Sequence, residues 1–126
     1  MVRATALRQL HFLEEKMVKV NVAYPNKPGS HFNVDYYLKV HMPMVARQLA
    51  HVAKDMTAEI GISTQDPDEP PAYAAIAGFM CESPEVFAQA FAAFAKDWQA
   101  DIPNYTDIEP VFQVSRHFEF PTGSPK

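Results

Sequence analysis

The stretch AYAAIAGFMC, residues 72–81, carries no charge and is apolar at both odd and even positions. Successive side chains of a strand point to opposite faces, so this run reads as a strand in the middle of a sheet, apolar on both sides. Its residues are also small: Ala72, Ala74, Ala75, Ala77 and Gly78. Small side chains on a central strand leave volume above the sheet, and the segments on either side supply the rest of the fold.

Upstream, MTAEIGIS (56–63) sets Met56, Ala58, Ile60 and Ile62 against Thr57, Glu59, Gly61 and Ser63. That alternation is an edge strand with one polar face. QDPDEPP (65–71) joins it to the central run as an acidic loop stiffened by proline. Further back, MVKVNVAY (17–24) alternates Val18, Val20, Val22 and Tyr24 with Lys19, Asn21 and Ala23, a first strand ended by the breaker-rich PNKPGS. In HFNVDYYLKVHMPMV (31–45), Asn33 caps a helix beginning at Val34, with Asp35 in the first turn where the helix dipole favours negative charge. Val34, Leu38 and Val45 keep helical spacing, Pro43 predicts a kink, and the helix is expected to resume through about Lys54. Downstream, Ser83-Pro84-Glu85 is a strong helix start. Phe87, Ala90, Phe91, Phe94 and Trp98 then recur at helical spacing until Pro103 ends the helix. VFQVSRHFEF (111–120) is a last strand with Phe112, Val114, Phe118 and Phe120 on one face and Arg116 among them.

The order β-α-β-β-α-β predicts an α+β, ferredoxin-like protomer, a four-stranded antiparallel sheet with two helices on one face. The domain spans 17–120, between an N-terminal extension at 1–16 and a tail at 121–126. With helices on one side, the other sheet face is bare. Central strands apolar on both sides and a phenylalanine-rich last strand predict a partner there, most simply a second copy of the chain.

At 126 residues the chain is one domain, and 48% apolar with 21% charged residues places it among globular proteins. A net charge of −4 with no block of Lys or Arg argues against nucleic acid as partner. No apolar run approaches the roughly 20 residues of a membrane span. Cys81 is the lone cysteine, which rules out an internal disulfide and points to a reducing compartment, the cytoplasm. MVRATALRQLHFLEEK (1–16) is free of acids until Glu14 and carries Arg3 and Arg8, but has no signal-type apolar core. It reads as a short helical extension, or as sequence ahead of a true start at Met17.

Glycine is too sparse and scattered for a phosphate loop, and no nucleophile elbow, CxxC or HExxH occurs. No two of the five histidines stand four residues apart, so a helical metal pair is absent and no cofactor is indicated, although His41 alone leaves haem ligation open. His41 is the leading chemical candidate. It precedes the expected kink, one turn after Tyr37, and an imidazole exchanges protons near neutral pH. Two readings stand: a general base or acid aimed at the sheet, or a core histidine bonded to a carbonyl freed near Lys39. Asp35 lies nearly two turns back, too far for its pairing with His41 to be read from spacing. Tyr24 ends the first strand, where its hydroxyl either orients a ligand or bridges core and water. Asn21, on the opposite face, needs a partner at an interface or in a ligand. DIPNYTDIEP (101–110) is polar and held by two prolines, a connector or part of a site.

VKVNVAYPNKPGSHFNVDYYLKVHMPMV together with DIPNYTDIEPVFQVS resembles the EthD-like family of the dimeric α+β barrel superfamily, over about residues 17–117. The resemblance implies a ferredoxin-like protomer whose open sheet face pairs with its twin to close a barrel, with a pocket between sheet and helices. The superfamily includes cofactor-free monooxygenases, lactone isomerases, haem-degrading enzymes and stress-responsive barrels. The family takes its name from an association with ethyl tert-butyl ether breakdown alongside a cytochrome P-450 system. The matching positions are Tyr24, Asp35, Tyr36, Tyr37, His41, Pro43, Asn104 and Tyr105. From them follow two expectations. One is a cofactor-independent isomerase, lyase or oxygenase acting on a small apolar metabolite. In it His41 and Tyr24 carry the chemistry, and Asp35, Tyr36, Tyr37, Asn104 and Tyr105 line the ligand site. The other is a non-catalytic barrel that binds such a ligand or assists a partner oxygenase.

Overall fold

The computed structural model describes residues 17–123. The extension read at 1–16 and the last three residues of the tail lie outside them. Four strands form one antiparallel sheet: β1 (Val18–Pro25), β2 (Lys54–Ile60), β3 (Tyr73–Cys81) and β4 (Val111–Arg116), in the spatial order β2-β3-β1-β4. Helix α1 runs from Val34 to Gln48 between β1 and β2, and α2 (Pro84–Asp101) lies between β3 and β4. This is the expected α+β, ferredoxin-like arrangement. β1 and β3 pair along their whole length, from Val18 opposite Cys81 to Tyr24 opposite Ala75, which puts Val18, Val20, Val22 and Tyr24 on one face with Ala75, Ala77, Phe79 and Cys81.

That face is the covered one. Val18, Val20, Phe79 and Cys81 bury against Leu49 of the α1 end and Trp98 of α2. The Trp98 indole N–H donates to the Gln48 side-chain oxygen at 2.7 Å, which ties the two helices together across the core. The opposite face presents Lys19, Asn21 and Ala23 of β1 beside Ala74, Ile76, Gly78 and Met80 of β3. No helix among the described residues covers it, and none is long and apolar enough to cross a membrane.

Several element ends differ from the sequence reading, each for a physical reason. β4 stops at Arg116, which pairs with Val18, the first residue of β1. Phe118 and Phe120 therefore lie past the strand, Phe120 largely exposed. Phe112 and Val114 stand opposite Val22 and Val20, so they face the helices and add nothing to the bare face. The first helix ends at Gln48 rather than near Lys54, since Leu49 leaves helical geometry and turns the chain into β2. β2 ends at Ile60. At Gly61 the backbone passes so close to Tyr73 and Pro71 that a Cβ would collide with both.

α1 is not a kinked α-helix. An α-turn (Val34–Tyr36) gives way to a π-helical stretch (Tyr37–His41) and then to α-helix again (Met42–Gln48). Pro43 has no N–H to offer the Lys39 carbonyl, and the Met42 N–H reaches back to the Tyr37 carbonyl instead. The wider turn inserts one extra residue, which rotates the inward face. Tyr37, His41 and Leu49 are buried, while Leu38, expected on the apolar stripe, is 42% exposed.

Candidate functional site

The π-helical stretch carries Tyr37 and His41 beneath α2 and its outgoing segment. That segment, a 3-10 turn at Ile102–Asn104 followed by residues 105–110, is fastened to the entry of α1. The Asn33 N–H donates to the Tyr105 carbonyl at 2.7 Å, and the Thr106 hydroxyl donates to the His31 carbonyl at 2.6 Å. Residues far apart in sequence therefore meet with little freedom.

His41 is 5% exposed, and its Nδ1 lies 2.9 Å from Oδ2 of Asp101, the last residue of α2. The helix dipole disfavours a carboxylate at a helix C-terminus, so Asp101 requires compensation. It has three donors: besides His41, the Tyr36 hydroxyl donates to Oδ1 at 2.6 Å and the Asn104 amide donates to the same oxygen at 3.0 Å. Partial burial pushes the Asp101 carboxyl up, but the hydrogen bonds from Tyr36, Asn104 and His41 outweigh it and hold the group below the ordinary carboxylate range. An ionised carboxylate only accepts, so the proton of neutral His41 sits on Nδ1 and its lone pair on Nε2. Burial pulls the imidazole pKa down and prevails over the opposing pull of Asp101, so His41 holds its proton less tightly than a free imidazole and the neutral form is favoured at pH 7.

His41 lines a cavity of about 50 Å³ between α1, α2 and the sheet, with Val22, Tyr24, Tyr37, Met42 and Phe112 among its walls. Ala77 of β3 forms part of its lining. Tyr24 and Tyr105 join hydroxyl to hydroxyl at 2.7 Å, with the Tyr24 ring edge-on to Phe32 and Tyr37. Tyr37 is 1% exposed, and its hydroxyl has no hydrogen-bond partner. Burial pushes all three phenols up, so each keeps its proton at neutral pH and remains a donor.

Of the residues singled out in the sequence, His41, Tyr36 and Asn104 converge on Asp101, while Tyr37 and Tyr105 pack against the imidazole, Tyr105 at 4.7 Å between ring centres, and Tyr24 packs behind them. Asp35 stays exposed in the first turn of α1, and of the five residues expected to line the ligand site only Tyr37 is in the cavity wall, Tyr36, Asn104 and Tyr105 lying behind it. Asn21 lies on the bare face opposite Gly78 and Gln113. No local pattern singles out Asp101, although it opens the polar stretch DIPNYTDIEP. Its spacing of three to Asn104 is a faint signal, and its 60-residue separation from His41 hides the pair. Among the described residues, no group of three or more His, Cys, Asp or Glu side chains is placed to hold a metal ion.

The EthD domain profile matches residues 32–109, more than half of the chain. The chain belongs to the EthD family. The match takes in His41, Asp101 and the three tyrosines at 36, 37 and 105, and leaves out β1 with Tyr24. An EthD-like protein from Ralstonia eutropha JMP134 is 40% identical, with a TM-score of 0.76 over 81% of this chain and 92% of that one. An EthD (ethyl tert-butyl ether) family protein from Bacillus halodurans C-125 shares the fold at 15% identity, with a TM-score of 0.52 over 75% of this chain and 96% of that one. No curated protein matches the chain.

The His41–Asp101 pair of this EthD protein sets a pH dependence of stability. His41 holds its proton less tightly when folded than at its ordinary 6.5, so its contribution is complete above that pH and drains as the pH falls through the lower folded value. Asp101 adds a second loss below its ordinary 3.8. Thermal melts are expected to show Tm falling between pH 7 and 5, with a smaller fall in His41→Phe. A wild-type Tm that rises on acidification would reverse the assigned direction.

Proposed function

We propose that the cavity is a cofactor-independent general acid–base site for a small, mainly apolar metabolite bearing a carbonyl or phenolic oxygen. The observation that carries this reading is a buried imidazole held through Nδ1 by a carboxylate at 2.9 Å, beside a buried hydroxyl that lacks a partner. His41 Nε2 takes a proton from an acidic C–H or O–H, Asp101 fixes the tautomer, and the Tyr37 hydroxyl donates to the oxygen on which charge develops. Tyr24, braced by Tyr105, positions the ligand ring, and Tyr36 and Asn104 hold Asp101. Asp35, exposed in the first turn of α1, has no part in this reading. Isomerisation, elimination and phenolate oxygenation all begin with this proton removal, which fits the isomerase, lyase or oxygenase chemistry of the wider superfamily. A titratable group buried in an apolar cleft beside a specific charged partner marks a candidate functional site.

The test is proton–deuterium exchange in D₂O with a panel of cyclic ketones, lactones and naphthols. Exchange should be catalysed, should rise through an ionisation below pH 6.5, and should vanish in His41→Gln. Saturable binding with no exchange would assign the cavity instead to carriage of a ligand for a partner oxygenase, in ether breakdown for example.

The same reading includes a homodimer. Ala23, Ala74, Ile76, Gly78, Met80 and Val111 give the uncovered sheet face an apolar centre, with Lys19, Asn21 and Gln113 available for polar contacts across a two-fold axis. Sedimentation at micromolar concentration is expected to report a dimer, and Ile76→Asp a monomer. A wild-type monomer would remove the barrel from this account.

A further inference from the structure

The cavity at His41 is smaller than the ligand class just described. Its volume of about 50 Å³ is a third of the roughly 150 Å³ at which an engineered apolar cavity admits benzene. A molecule with even one aromatic ring must leave much of its bulk outside. A groove of about 650 Å³ runs alongside, between α2 and the segment leading into β4. The two spaces share a wall made of Trp98, Ile102, Pro110 and Phe112. Beyond that wall the groove floor is Phe91 and Ala95. Phe112 is 39% exposed although its ring meets Phe91 edge-on at 5.4 Å, so an aromatic pair lies open to the groove. Phe112 projects on the helix side of the sheet, opposite Val22, and a second copy covering the bare face would leave the groove open.

We infer that the groove is the outer compartment of the same site, and that the substrate is an elongated aromatic molecule. Its oxygen-bearing end reaches His41 and Tyr37 past Phe112, and its distal ring lies on Phe91 and Ala95. The inner half of this inference rests on the acid–base reading. The outer half rests only on the volumes, the shared wall and the open aromatic pair.

Titration calorimetry of the full chain with phenol and with 4-hydroxybiphenyl tests it. The second ring is expected to tighten binding by about tenfold or more through its buried apolar surface. Gln99→Trp fills the groove beyond the shared wall, where the distal ring lies, and should erase that gain while weakening phenol, whose ring stops at that wall, by much less. Ala95→Leu, a smaller block on the same floor, should reduce the gain and guards against a misfolded Gln99→Trp. Equal affinities, no binding of either probe, or a gain that survives both substitutions overturns the outer compartment. So does a groove filled by another copy, seen as Gln99→Trp changing sedimentation and not binding. Phenol affinity indifferent to His41→Gln, with the second-ring gain still lost in Gln99→Trp, would instead sink the acid–base reading and keep the groove.

Discussion

Asp101→Asn is expected to lower turnover by on the order of 10³–10⁴-fold at pH 7 while the chain stays folded. Asp101 Oδ1 accepts from both the Tyr36 hydroxyl and the Asn104 amide, at 2.6 Å and 3.0 Å. An asparagine retains those two donors only by placing its carbonyl oxygen there. Its NH₂ then faces His41 Nδ1, where a carboxylate oxygen had accepted at 2.9 Å. The imidazole must accept at Nδ1 and carry its proton on Nε2, so the lone pair leaves the cavity and the base is lost. The volume of the side chain barely changes, so the loss should fall on kcat rather than on KM. Full activity in Asp101→Asn would mean that the carboxylate only packs, and that His41 does not act through it.

Tyr37→Phe is expected to move stability and binding in opposite directions. A buried hydroxyl without a partner costs about 1–3 kcal/mol, and Tyr37 carries one at 1% exposure. Phenylalanine keeps the ring contacts with Tyr24, Phe32 and His41 and removes the orphan, so the free protein should gain roughly 1 kcal/mol in urea unfolding. The same change deletes the donor for a ligand oxygen and should weaken binding of phenol by about tenfold to a hundredfold. A structural hydroxyl would give the opposite pair of results, a less stable protein with unchanged affinity. Stability sacrificed at a binding group is what separates a site from a core.

The fold was legible because alternation and capping speak locally. Val18, Val20, Val22 and Tyr24 announced a half-buried strand, Ser83 and Pro84 a helix start, and the uncharged run through Ala77 a central strand. Asn33 and Ser83 do cap, through side-chain oxygens that accept from the Tyr36 and Val86 N–H groups. Element ends were less legible, since the stop of β4 at Arg116 is set by where β1 begins and not by anything in VFQVSRHFEF. Half of the site could be read in the same way. His41 stood out by its chemistry and its proline, yet the turn that aims it is π-helical, a geometry that a missing N–H permits but does not announce. Tyr36 and Tyr37 look equivalent in sequence. One residue of helical rotation sends the first to Asp101 and the second into the cavity. Asp101 itself acquires meaning only when the end of α2 is folded over α1, so no local pattern marks it.

The most direct measurement is the protonation of His41 in the unmodified protein, by long-range ¹⁵N–¹H correlation of the imidazole across a pH titration. The account predicts a neutral ring at pH 7 with its proton on Nδ1, bare Nε2, and a midpoint below the ordinary 6.5. A proton on Nε2 in the neutral ring, or an imidazolium persisting at pH 7, would contradict it.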